Sequence, residues 1–326
     1  MSCASRTICL RLPALAAACA CAFSSAADAS CGSAFCTVNS DWTSESAITE
    51  PGSTLDLRYE YINQDRPQTG KRRIGVGEIP RDHDEVSTAN RNLLLSYSYT
   101  FDSNWGMSVI APFVSRNHFH IHNGENGEKE RERWSFDELG DVRVVGRYQI
   151  PGGDPLAPTT TGFNFGLKLP TGKTDIANSD GELAERTLQP GSGTTDTILG
   201  AYFHQRLPQS DAAWFTQVQY QRALNAHAAF KPGDKFGLDI GYRRGITQDL
   251  GALIQLNMSI KGRDSGAQAE PEESGGRFVS ISPGLSYAVS QTLQVYAFVQ
   301  LPVYQYVNGV QLTASKAFVA GVSGRF

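Results

Sequence analysis

From residue 54 to the last residue, apolar and polar side chains alternate in runs of nine to twelve residues, separated by turn-forming stretches. A period of two is satisfied by a strand and not by a helix. The final run, Lys316 to Phe326, shows it plainly. Phe318, Ala320, Val322, Gly324 and Phe326 share one face; Ala317, Val319, Gly321, Ser323 and Arg325 share the other. The chain stops on an aromatic residue with no polar tail behind it. A closed membrane barrel accounts for such an ending, because its last strand must pair with its first.

Twelve segments carry the pattern, from Thr54–Asn63 and Asn92–Thr100 through Leu293–Leu301 to the terminal run. The connections between them alternate in length. Long ones are expected near 64–91, 117–138, 171–194, 223–234, 262–277 and 302–315, and tight ones near 101–104, 151–161, 207–212, 244–250 and 288–292. A soluble β-sandwich would show the alternation without this asymmetry. The expectation is an all-β fold, a transmembrane antiparallel β-barrel of about twelve strands in residues 53–326, with short periplasmic turns and long extracellular loops. Tyr and Trp near the strand ends (Tyr61, Trp105, Tyr148, Trp214, Tyr242) match interfacial girdles.

A mean hydropathy of −0.30 is compatible with this fold, since every second strand residue faces the lumen. Residues 1–29 have the order of a signal peptide: Arg6 and Arg11, an apolar Leu12–Phe23, then Ala27-Asp28-Ala29. Acylation at Cys19 or Cys31 is the competing reading, although the residues before Cys31 lack a lipobox's apolar start. No later stretch supplies eighteen uncharged residues, so membrane residence falls to strands, in the outer membrane of a bacterium. Without residues 1–29 the chain keeps 27 basic and 32 acidic residues, a net charge of −5, which gives no footing for nucleic acid. Residues 30–52 form a periplasmic N-terminal segment containing Cys31 and Cys36, the two cysteines left after processing. They fit a disulfide-closed loop or a soft-metal site.

Strand charges of both signs must face the lumen, because a charge at mid-membrane costs roughly 2–4 kcal/mol on the lipid face. They are Asp56, Arg58, Glu60, Asp141, Arg143, Arg147, Lys168, Asp239, Arg243, Lys261 and Arg325. Cross-strand pairs that fill a narrow barrel and a charge-lined passage for a small solute both fit. Lys168 and Asp196 are expected to pair across adjacent strands. The run Asn117-His118-Phe119-His120-Ile121-His122 puts three imidazoles on one face of an extended chain, a plausible Cu²⁺ or Zn²⁺ set or else part of an exposed loop. The alternating charges of 125–133 suit a solvated loop. No enzyme motif is present; His204 is the one histidine expected in a strand core, without a serine partner beside it.

Phe163–Asp175 followed by Leu188–Asp196 resembles the outer-membrane family named for meta-pathway phenol degradation, through Gly166, Lys168, Pro170, Leu188, Gln189, Pro190, Gly191, Gly193 and Asp196. The terminal Phe326 resembles the signal that barrel-insertion machinery reads. The resemblance implies a transporter or narrow channel for a small, hydrophobic or aromatic solute; a metal-handling or structural barrel with a filled lumen is the alternative.

Overall fold

The structure, a computed structural model, describes residues 51–124, 127–151 and 159–326. Residues 1–29, expected as a signal peptide, Cys31 and Cys36, and Glu125 and Asn126 of the charged run lie outside the described residues. The strands are β1 (Gly52–Gly70), β2 (Arg72–Arg73), β3 (His83–Thr100), β4 (Trp105–Asn123), β5 (Lys129–Leu139), β6 (Arg143–Gln149) and β7 (Thr159–Lys168). They continue as β8 (Asp196–Leu207), β9 (Ala212–Ala223), β10 (Lys235–Gly245), β11 (Leu250–Lys261), β12 (Gly276–Ala288) and β13 (Leu293–Arg325). Neighbours pair antiparallel along the path β1-β3-β4-β6 and then in chain order to β13, which pairs with β1 to close the wall. Both termini of the closure meet there, where Ser53 and Phe326 exchange two backbone hydrogen bonds of 3.0 Å.

β13 is 33 residues long because it folds back on itself. Its arm 294–307 pairs with β12, and its arm 310–325 pairs with β1. At the far end of the fold-back, the Arg325 amide donates to the Thr292 carbonyl at 2.8 Å. Asn308-Gly309 makes the reversal, with Gly309 at φ 52°, the two-residue Asn-Gly hairpin whose positive φ only such residues tolerate cheaply. Eleven strands therefore supply twelve passes, as the alternation predicts, while β2 and β5 lie off the closed path.

The outward set forms an apolar belt. Leu55, Leu57, Tyr59, Leu93, Leu95, Phe163, Phe165, Ile240, Ile254 and Phe318 are all exposed, and each alternates with an inward polar or small residue. Water would not tolerate such a continuous exposed surface, whereas lipid requires it. The chain is an outer-membrane β-barrel.

One side of the wall rises above the belt. β1, β3, β4, β5 and the β13 hairpin continue through residues expected in loops, so 117–138 and 302–315 are strand and tight turn rather than long connections. The sequence pattern concealed this because the apolar alternation lapses after Phe113, where the outward positions are Ser115 and Asn117, and when it resumes at Phe119 and Ile121 the inward partners are histidines. β5 and β6 are one descending pass broken at 140–142. β5 pairs with the upper part of β4 and β6 with its lower part, and the register shifts by one residue between Phe113↔Leu139 and Ile110↔Arg143. That bulge turns Asp141 into the lumen, as bulges re-aim side chains.

Candidate functional site in the barrel lumen

Above Lys168 the chain leaves the wall and folds inward as loop 169–195. Its anchor is a buried charge cluster. Lys168 Nζ lies 2.7 Å from Asp141 Oδ2 and 3.2 Å from Asp196 Oδ1, and donates to the Thr194 carbonyl at 3.0 Å and to Ser192 Oγ. Lys168 and Asp196 stand directly opposite each other in the β7–β8 ladder. Asp141 accepts from the loop itself: the Ser192 amide at 3.0 Å, its hydroxyl at 2.9 Å and the Gly172 amide at 3.1 Å. Asp196 accepts from Thr194 Oγ1 and Gln221 Nε2, each at 2.6 Å. A buried cation between two carboxylates is tolerable only when the remaining oxygens find donors, and here every donor but Gln221 belongs to the loop.

Deeper in, Leu188 is 1% exposed and packs with Trp134, Ala184 and Leu312, while Arg116 of β4 donates to its carbonyl. Gln189 folds the loop on itself, donating to the Ala184 carbonyl (2.8 Å) and the Ile176 carbonyl (3.0 Å) and accepting from the Ile176 amide (2.9 Å). Gly172 and Gly191 cross backbone to backbone, and a methyl group on Gly191 would overlap the Gly172 carbonyl. Gly191→Ala is therefore expected to lower stability by about 1–3 kcal/mol, as overpacking against backbone does. Urea unfolding of refolded protein measures it; a midpoint equal to wild type would show that the crossing is not tight.

Below the charges the inner wall is aromatic. Tyr202, Phe215 and Phe298 stand opposite Gly162, Gly241 and Gly284 on the next strand. Any Cβ at those glycines would overlap the facing ring, and Gly321 makes the same room for Tyr296. Each ring is thus seated over a glycine of the neighbouring strand. Phe215, Leu253, Tyr296, Phe298 and Val319 form one buried apolar cluster, tied to the wall by Tyr296 Oη donating to Asp56 at 2.9 Å.

Three cavities follow one another down the axis. One of about 720 Å³ lies at the loop end, bounded by Glu85, Arg186, Thr187 and Glu270. The second, about 260 Å³, shares Arg186 and Thr187 with the first and is lined by Arg58, Glu60, Arg143 and Lys168. The third, about 420 Å³, opens at the turn end among His204, Arg243 and Arg325. The aromatic cluster separates the last two.

The inward charges expected from the sequence divide among these layers. Arg58, Glu60, Asp141, Arg143, Lys168, Asp196 and Lys261 surround the middle cavity. Arg58 Nε lies 3.2 Å from Glu60, and Lys261 lies 2.6 Å from Asp264. Asp56 binds Tyr296, and Asp239 accepts from Asn257 at 2.7 Å. Arg147 lies beside Gly106, and Arg243 and Arg325 line the turn-end cavity. The sequence reading omitted Arg116, Asp264 and the aromatic cluster. A ring facing a glycine is a signal only once the register between strands is known.

The histidines are not in an exposed loop. His118 and His120 are buried on β4 above the belt, His83 faces them from β3, and His122 is exposed. His204 is thus one of several strand histidines. His118 is occupied, with Nδ1 2.8 Å from Thr88 Oγ1 and Nε2 3.3 Å from His120 Nδ1. Among the described residues, of the three alternating candidates His120 alone joins a convergent donor set, and its partners are His83 and Glu185. Burial pulls the His83 imidazole down to about 4, with Arg81 adding to the effect, so the ring is neutral at pH 7. Burial and the neighbouring Glu85 push the Glu185 carboxyl well above its ordinary range.

No protein-family model matches the chain, and no curated protein sequence matches it. Solved structures do. An outer membrane channel from Pseudomonas putida F1 superposes with a TM-score of 0.61 at 11% identity, covering 86% of this chain and 97% of that one. The CymD monoaromatic hydrocarbon channel gives 0.42 at 12% identity over 90% and 94%, and a Pseudomonas aeruginosa FadL homologue gives 0.39 at 10% over 86% and 90%. The first of these fixes the fold as that of an outer-membrane channel.

Proposed function

We propose that the barrel conducts a small apolar or aromatic solute across the outer membrane through a narrow, loop-obstructed lumen. The succession of three cavities along the axis carries this reading. The middle chamber is lined by seven cationic and four acidic side chains, a surplus that favours an acidic group on the solute. The aromatic septum beneath it costs a hydrated sugar its water but replaces water around a ring with other rings. The phenol-degradation resemblance falls on the segment that builds the inward loop and its anchor, which supports a transporter of that kind without naming its substrate. On this reading the barrel is a passage rather than a catalyst, its partners are lipid, solute and the insertion machinery that reads Phe326, and passage is by diffusion.

Liposome uptake tests the reading. Benzyl alcohol and benzoate should enter protein-containing liposomes faster than a neutral sugar, by on the order of tenfold after subtracting protein-free leakage. Equal protein-dependent rates would remove the aromatic selectivity. No protein-dependent uptake and no conductance steps in planar bilayers would favour the filled-lumen structural alternative.

A further inference from the structure

We propose that His83, His120 and Glu185 form a divalent transition-metal site that fastens the inward loop to the tall side of the wall. The site is independent of which solute passes. One donor atom from each residue lies within 4.8 Å of the others. Zinc bound tetrahedrally needs donor separations of about 3.4 Å, so each side chain moves by less than about an ångström. The donors come from three separate elements, β3, β4 and loop 169–195. The His83 and His120 rings are 4.9 Å apart between centroids, and His83 Nε2 is 3.3 Å from Glu185 Oε1. Two imidazoles with a carboxylate suit Zn²⁺ and its neighbours rather than Mg²⁺ or Ca²⁺.

The surroundings favour a cation independently of the three donors. The adjoining cavity of about 360 Å³ is lined by Glu130, Glu132, Glu182, Glu185 and Glu270, with no lysine or arginine among its described lining residues. His120 Nδ1 is taken up by His118, so Nε2 is the atom that would ligate, and Glu132 Oε2, 2.5 Å from it, stands ready as a fourth, oxygen ligand.

Zn²⁺ titrated against detergent-refolded protein, with a competing chromophoric chelator, decides the matter. One ion per chain should bind. His83→Ala and Glu185→Gln should each weaken binding at least about thirtyfold, while His122→Ala should change it less than about threefold. A site built on the consecutive histidines would reverse this order and overturn the proposal, as would no binding by wild type. Should His83→Ala fail to give a heat-modifiable barrel, wild type still decides. Zn²⁺ must then protect His83 from diethyl pyrocarbonate while leaving exposed His122 reactive, and unprotected His83 would reject the site.

Discussion

Lys168→Met should produce the largest loss of stability of any single substitution in the lumen, about 3–5 kcal/mol, because it leaves two buried carboxylates without their cation. Lys168, Asp141 and Asp196 are all nearly inaccessible, with side-chain exposures of 7%, 8% and 3%. Methionine fills a similar volume, so the loss reports charge rather than packing. The two acids are not equivalent. Asp196 keeps a wall donor, Gln221 of β9, beside Thr194 of the loop, whereas the remaining donors to Asp141 are all loop groups, Ser192 and Gly172. Losing the lysine therefore loosens the loop at Asp141 before it loosens the β7–β8 ladder. Single-channel conductance should rise by on the order of threefold as loop 169–195 leaves the lumen. Asp196→Asn, which keeps one acceptor oxygen and the Lys168–Asp141 pair, should cost only about 1–2 kcal/mol and leave conductance close to wild type. Unfolding in urea and planar-bilayer recording measure the two quantities on the same preparations. A destabilised variant with unchanged conductance would mean that the loop is held by Arg116, Gln189 and the Leu188 contacts instead.

That anchor shows which parts of the molecule were legible beforehand. Opposition of Lys168 and Asp196 could be read from the sequence because each sits at a strand end next to a turn signal, and the strand period fixes which face each takes. Asp141 also carried the correct face, but its partners did not follow from any spacing: the bulge at 140–142 and the inward course of the loop set them. The tall side was hidden for a related reason. Strand geometry continues above the belt, but the lipid that enforces alternation does not, so His118 and His120 resembled loop residues although they are buried. Glu185 is far from both in the chain and reaches His83 only because the loop folds back into the barrel. Periodicity reports the solvent on each side of a strand, and it falls silent where both sides are protein or water.

Removing two rings from the septum, Phe215→Ala with Phe298→Ala, should open the lumen where loop release does not. Both side chains are almost wholly buried and face each other's cluster partners, so no shift of loop 169–195 clears them. In a sealed core each truncation would cost about 3–5 kcal/mol. Here the turn-end cavity reaches Ala213, two residues from Phe215, so water at about 30 Å³ per molecule can extend from it into the vacated space and the cost should fall below that range. The functional effect should be large. Conductance is expected to increase on the order of fivefold, and the preference for aromatic solutes over sugars should collapse, because the surface that replaced water around a ring is gone. Combined with Lys168→Met, the increase should exceed either alone, since two obstructions in series limit flow together. If the double alanine variant conducts like wild type while remaining a folded, heat-modifiable barrel, the aromatic cluster lies off the path. The passage would then run along the polar inner face of β3 and β4, where Asn90 and Arg116 are hydrogen-bonded at 2.7 Å.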